Sequence, residues 1–339
     1  MTIGAGRAAS SEEMLAGGQR LADQRVVRGI GRGDHHQIDV VTGIQRLGRR
    51  FDRYIGYSAG GGTDIAARTL VPYIEKALGT DITVINRPGA GGEVGFTALA
   101  NAQPDGYTIG FINTPNVLTI PIERKTRYTL ADFQPVASVV DDPDGFNVAP
   151  DSQFGSLAAL VDYAKQHPGD ITYGTTGVGS DDHLAALALE RQAGIEMTHV
   201  PFPGAADVRQ ALMGGHIDLG IFNIGEAASD VKAGRVKMLA QAAAQRSKEL
   251  PDVPTTAEAG YPLIIGSNRG IAVPAGVPGP IVDKLSSAIA TAMQDEDFRQ
   301  AAAQQSLPLD YQNPTTYQQT LDDLQVRFQT LWNESPWSD

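Results

Sequence analysis

Tyr57-Ser58-Ala59-Gly60-Gly61-Gly62-Thr63-Asp64 sets three glycines between a short strand-like segment and a helix-patterned one. Glycine has no Cβ, so such a run turns tightly and lets its backbone approach a guest. The helix behind it opens with amide N–H groups that have no partner inside the helix. Those donors and the positive end of the helix dipole favour an anion. Over residues 64–78, Ile65, Thr69, Tyr73 and Ala77 form one stripe, with Ala66, Leu70, Ile74 and Leu78 beside it, and Gly79 stops the helix. A similar loop, Gly177-Val178-Gly179-Ser180, stands at a second helix start. Two such loops facing each other suit a protein that grips a small anionic molecule.

Around the first loop the chain alternates. A strand over Tyr54–Tyr57 leads in, Ile82–Ile85 is the next strand, and a helix over about 92–102 follows the turn Asn86-Arg87-Pro88-Gly89. Pro104-Asp105-Gly106 then turns into the strand Tyr107–Ile112. The alternation implies a parallel sheet with helices on both faces. It repeats from Ser156, the expected N-cap of a helix over 157–166 that Pro168-Gly169 stops. Strands are expected over Ile171–Thr175, Met197–Val200, Ile217–Phe222 and Val236–Ala240. The helices between them are expected over 181–193, 205–213 and 226–233. Pro280 and Pro314 open two C-terminal helices. Both glycine loops lie at carboxyl ends of strands, where open sheets usually hold ligands.

The 339 residues suffice for two domains. The 42% hydrophobic and 19% charged residues are those of an ordinary globular protein. Without cysteine, disulfides, thiolate metal sites and cysteine nucleophiles are excluded, and the chain tolerates oxidising and reducing compartments alike. A net charge of −12 opposes nucleic-acid binding, which needs a basic surface, and obliges local donors to capture any anion against the overall field. No run approaches the ~18 apolar residues of a membrane span. Residues 1–50, rich in Gly, Arg, Gln and Asp and without period, read as a poorly ordered extension. Asp34-His35-His36 lacks a third ligand at sensible spacing, so no metal is expected there.

Seven motifs in register resemble the tripartite tricarboxylate transporter (TTT) substrate-binding proteins, the TctC/Bug family. They are Tyr57–Asp64; Asn86-Arg87-Pro88-Gly89-Ala90-Gly91-Gly92; Pro104-Asp105-Gly106-Tyr107-Thr108; Gly179-Ser180-Asp181-Asp182-His183-Leu184; His199-Val200-Pro201-Phe202; Asp252–Tyr261; and Pro274-Ala275-Gly276. The resemblance runs from about residue 54 to 330. It implies an α/β, two-lobed periplasmic binding protein fold (type II-like), each lobe a mainly parallel sheet flanked by helices, with the ligand in the interlobe cleft. Lobe 1 would be 51–142 plus 267–339 and lobe 2 would be 143–266, with crossings near Asp141-Asp142-Pro143 and Ser267. The implied activity is non-catalytic: a monomeric periplasmic receptor, without cofactor, that hands a small di- or tricarboxylate, citrate-like, to a permease of large and small subunits. Family members start with a signal peptide and a Pro- and Val-rich first strand, and neither is visible here.

On this reading the ligand meets the loop amides of Ser58, Ala59, Gly61 and Gly62 and the Thr63 hydroxyl. Asp64, itself negative, caps the helix or holds a bridging water. Asn113 and Thr114 end a strand toward the cleft, and Asn223 ends another in the equivalent way. Thr175, Thr176 and Gly179 add donors. Ser180 caps its helix and either donates to the ligand or does not, and His183 packs. Arg269 either grips a carboxylate with two parallel hydrogen bonds or pairs with Asp141 or Asp142. Arg87 reads as structural. The chain carries no Gly-x-Ser-x-Gly or His-Glu-x-x-His run. The competing readings are a cytosolic α/β enzyme that holds a phosphate in its glycine loops, and a sensor lobe.

Overall fold

The computed structural model describes residues 51–334, 336 and 337, so the expectations for 1–50 and for His35-His36 lie outside the described residues. The chain runs β1 (Phe51–Ile55), α1 (Gly62–Leu78), β2 (Ile82–Asn86), α2 (Glu93–Ala100), β3 (Thr108–Thr114) and α3 (Asn116–Glu123). It continues through β4 (Phe133–Val148), α4 (Leu157–Gln166), β5 (Thr172–Thr175), α5 (Asp181–Ala193), β6 (Thr198–Pro201), α6 (Ala205–Met213), β7 (Leu219–Asn223) and α7 (Ile224–Lys232). β8 (Lys237–Gln241), β9 (Gly266–Pro274), α8 (Gly279–Gln294), α9 (Glu296–Gln304), β10 (Leu309–Gln312) and α10 (Pro314–Glu334) complete it.

The strand order is β2-β1-β3-β9-β4-β7-β5-β6, with β10 and β8 also on β4. β1 runs parallel to β2 and β3, and β5 runs parallel to β6 and β7. These are the two βα units that the glycine loops announce. β4 and β9 cross antiparallel between them. The first part of β4 pairs with β9 and β10, and Asp144 to Val148 pair with β7 and β8. The sheet is therefore mixed: parallel pairs within each unit, antiparallel pairs where the chain passes from one to the other.

Several expectations shift. The first strand is Phe51–Ile55, so Gly56 and Tyr57 already belong to the loop. The return strand begins at Gly266, beside the expected crossing at Ser267, and Gly266 lies against β4 so closely that a Cβ there would stand 2.4 Å from the Asp142 carbonyl oxygen. Asp141-Asp142-Pro143 reads as a strand end in the sequence, yet it sits inside the 16-residue β4. Pro143 lacks a donor, but the Asp144 N–H bonds the Ile265 carbonyl at 3.0 Å and carries the ladder past it.

Apolar faces close over each unit. Ile55, Leu70, Ile74, Ile109, Val139, Ile271, Ile289 and Phe298 form one core, and Phe146, Leu160, Tyr173, Leu189, Leu219 and Ile221 form another. A third cluster packs Leu184 of α5 with Val117 and Leu118 of α3, Phe328 of α10 and Trp337. Among the described residues no helix is long and apolar enough to cross a membrane.

Candidate functional site

Four helices start on one cleft of about 430 Å³. α1 arrives with Gly61, Gly62 and Thr63, and α5 with Asp181. α6 brings Gly204, Ala205 and Ala206, and α7 brings Glu226, with its N-cap Asn223 beside it. Each start follows a strand end or loop at the carboxyl edge of the sheet, so the dipoles' positive ends converge. The N–H groups of Thr63, Ala205 and Ala206 have no acceptor among the described residues. They belong to the first turns of α1 and α6, where the helix itself offers none.

The polar side chains of the wall hold one another. Arg269 is 2% exposed and donates to Asp142 at 2.8 Å, to Asn223 Oδ1 at 2.6 Å and to Glu226 Oε1 at 3.3 Å. Burial opposes its charge, but Asp142 and Glu226 more than restore it, and the guanidinium stays protonated. The Gly62 N–H donates to the same Glu226 Oε1 at 2.7 Å. A Cβ on Gly62 would fall 2.4 Å from that oxygen, so this contact needs glycine. Asn113, 3% exposed, donates through Nδ2 to Thr63 Oγ1 at 2.7 Å, and its Oδ1 has no donor among the described residues.

Behind the cleft lies an acidic trio. One carboxylate oxygen each of Asp144, Asp181 and Asp182 lies within 4.8 Å of the others, all three buried. The Asn223 amide donates to both Asp144 Oδ1, at 2.8 Å, and Asp181 Oδ2, at 2.9 Å. Thr176 holds Asp182 through its N–H at 2.9 Å and its hydroxyl at 2.7 Å. Burial raises all three carboxyls above the usual range, and Asp144 and Asp182 feel Asp181 as well. Burial also pushes Asp142 up to about 6 against the pull of Arg269.

Of the residues expected at the site, Ser58, Gly61, Gly62, Thr63, Asn113, Thr176, Asn223 and Arg269 line the cleft. Ala59, Asp64, Thr114, Thr175, Gly179 and Ser180 do not. Asp64 is a buried structural anion. Burial would raise its carboxyl, but Arg68 at 2.9 Å, the Gly60 N–H at 3.0 Å and Asn86 at 3.0 Å hold it below its usual value. Ser180 accepts from the His183 N–H at 3.1 Å as a helix cap. The tip of the second loop turns under α3, where Thr119 donates to the Gly179 carbonyl at 2.7 Å. The loop reaches the cleft only through Thr176 before it and Asp181 after it. Thr175 meets His199 at 2.6 Å, and His199 stacks on His183 with ring centroids 4.3 Å apart, so His183 packs as expected. Arg87 lies over the Tyr54 ring at 4.7 Å.

Sequence reasoning missed Tyr57, Asp181, Gly204, Ala205, Ala206, Glu226 and Ser267. Pro203-Gly204 before α6 carries the signal used for the other loops, a glycine at a helix start, and that signal could have found it. Asp181 follows Ser180 directly. Glu226 gave no sign, because its partner Gly62 is 164 residues away.

The model of the Tripartite tricarboxylate transporter family receptor, TctC, matches residues 66–335. The chain belongs to this family. The TctC-family chain is similar to the "UPF0065 protein in gbd 5'region" of Cupriavidus necator, 32% identical over 266 residues, which are 78% of this chain and 81% of that protein. It is also similar to the protein BugT of Bordetella pertussis (strain Tohama I), 30% identical over 77% of this chain and 82% of that one. Among solved structures it resembles MatC from Rhodopseudomonas palustris with bound malate, with a TM-score of 0.79, 29% identity, and 83% of this chain and 98% of that chain covered. It resembles a second R. palustris protein with adipate equally well, with a TM-score of 0.79, 26% identity, and 84% and 96% covered. The expected fold stands: the receptor has the α/β architecture of periplasmic binding proteins, with a mixed sheet flanked by helices.

Proposed function

We propose that this receptor works outside the cytoplasm, in the periplasm, as a monomer that binds a small di- or tricarboxylate and delivers it unaltered to a TTT-type permease of large and small subunits. One observation carries the reading: four helix N-termini converge on one cleft, with the Thr63, Ala205 and Ala206 N–H groups unpaired among the described residues. A carboxylate placed there gains charge-assisted hydrogen bonds and the dipoles of α1 and α6. The diacids in the two similar R. palustris structures support the ligand class.

The lobes are 51–142 with 267–339, and 143–266, hinged where β4 and β9 cross. Gly62 and Glu226 then stand on opposite lobes, and closure over a guest changes the surface a permease reads. The reading needs no base beside the ligand: His183 and His199 stack on each other rather than line the cleft.

Calorimetric titration with succinate, malate, citrate, tricarballylate and adipate, followed by mass spectrometry of the recovered ligand, tests this. At least one acid binds with 1:1 stoichiometry and is recovered intact. Recovery of a converted product establishes an enzyme instead.

A further inference from the structure

The crossing strands carry a hollow on each face. Along β9, Ser267 and Arg269 line the cleft, while the alternate residues Gly266 and Asn268 line a space of about 780 Å³ on the opposite side. β3 divides in the same way, with Asn113 toward the cleft and Thr114 toward the space behind. That rear space runs on into another of about 1090 Å³, since Ile264, Ile265, Arg327 and Phe328 line both. Its two apolar walls come from opposite lobes as proposed above. Leu184 of α5 with Ile264 and Ile265 forms one, and Leu324, Phe328 and Leu331 of α10 form the other. The walls stand apart, and Ile264 is 66% exposed. At the front the lobes touch: the Gly62 N–H of one donates to Glu226 of the other at 2.7 Å.

We infer that the rear walls set the receptor's affinity from outside the ligand site, meeting each other when the cleft opens and parting when it closes. Both hollows lie between the same two lobes, and β4 and β9 run between the hollows. A rotation about those strands that narrows one hollow therefore widens the other. Closing the cleft leaves the rear walls in water, and opening it buries them against each other. Rear burial thus competes with the ligand, whose observed affinity falls with the fraction of receptor held open. None of these wall residues lines the cleft, so they act on the ligand only through the lobe angle. The inference rests on the receptor reading and adds to it the surface that tunes it, Ile264 and Ile265 against α10.

The chain has no cysteine, so a pair placed across the rear hollow reports its closing without background. Ile264 and Arg327 are both exposed, and both line the two rear spaces. The full chain carrying Ile264→Cys and Arg327→Cys is oxidised with and without whichever of succinate, malate, citrate, tricarballylate and adipate binds the unaltered protein most tightly. The crosslink should form without the acid and at least about fivefold more slowly at saturation with it. Calorimetry should then show at least about tenfold weaker binding by the crosslinked protein, restored on reduction. Ile264→Trp, which wedges the walls apart, should bind the same acid at least about threefold more tightly. The inference is overturned by a pair that never crosslinks, that crosslinks at one rate with and without the acid, or that binds unchanged once crosslinked. Unchanged or weaker binding by Ile264→Trp overturns it too; in each of these cases the carboxylate receptor stands. Absence of binding by all five acids overturns the receptor reading instead, and the inference with it.

Discussion

Arg269 was expected either to clamp a ligand carboxylate or to pair with an acidic neighbour, and its geometry realises the second. Its two terminal nitrogens reach Asp142, Asn223 and Glu226 inside the protein, all within 3.3 Å. Its removal therefore acts first on stability. Arg269→Ala leaves Asp142 buried and unpaired, which costs about 3–5 kcal/mol. Urea unfolding of the variant should show that loss, and a loss under ~1 kcal/mol would contradict the pairing. The sequence could offer both readings because Asp142 was visible as a neighbour of the crossing. It could not choose, because the choice depends on how β4 and β9 register across 127 residues.

At the scale of elements, the short-range signals were the readable ones. The helices 157–166, 181–193 and 205–213 fall where their caps and stripes put them: Ser156 and Ser180 accept from their helices' first turns, and Gly194 adopts the left-handed turn that ends α5. β4 was hidden because Asp141-Asp142-Pro143-Asp144-Gly145 has turn composition. Distant partners make it a strand: Arg269, Asn223 and the Gly225 N–H take up its carboxylates. α6 reaches the cleft at its first two residues, Ala205 and Ala206, and that permits a clean substitution. Ala205→Pro deletes one unpaired N–H at a position where helices accept proline, and Gly204 before it is already extended at φ −179°, ψ 163°. The variant should keep its melting temperature within a few degrees and lose about 1.5–3 kcal/mol of carboxylate affinity by calorimetry. Full affinity in the variant would remove α6 from the site.

At the scale of the whole molecule, four buried acids, Asp142, Asp144, Asp181 and Asp182, gather at the seam between the two βα units. Asp142 titrates near 6 in the folded chain against an ordinary value of 3.8, and Asp141, Asp144, Asp181 and Asp182 are raised as well. Between those values the folded state binds more protons than the unfolded one, so stability falls as pH rises through that window. Asp64 is held low and works in the opposite sense. The raised group is larger, so the ligand-free receptor should melt several degrees higher near pH 5 than near pH 8 by scanning calorimetry. A reversed order would mean that the seam acids are ionised and compensated. No single stretch of sequence shows this concentration, since its members come from β4 and α5 and meet through Asn223 of β7 and Arg269 of β9.

The central claim is that backbone donors at the starts of α1 and α6 hold the ligand's carboxylate. Amide chemical shifts and hydrogen exchange of Thr63, Ala205 and Ala206 during titration with a bound carboxylate test it most directly. The account predicts downfield shifts and slowed exchange at all three amides at ligand saturation. A ligand that saturates the protein while those amides neither shift nor gain protection would contradict it.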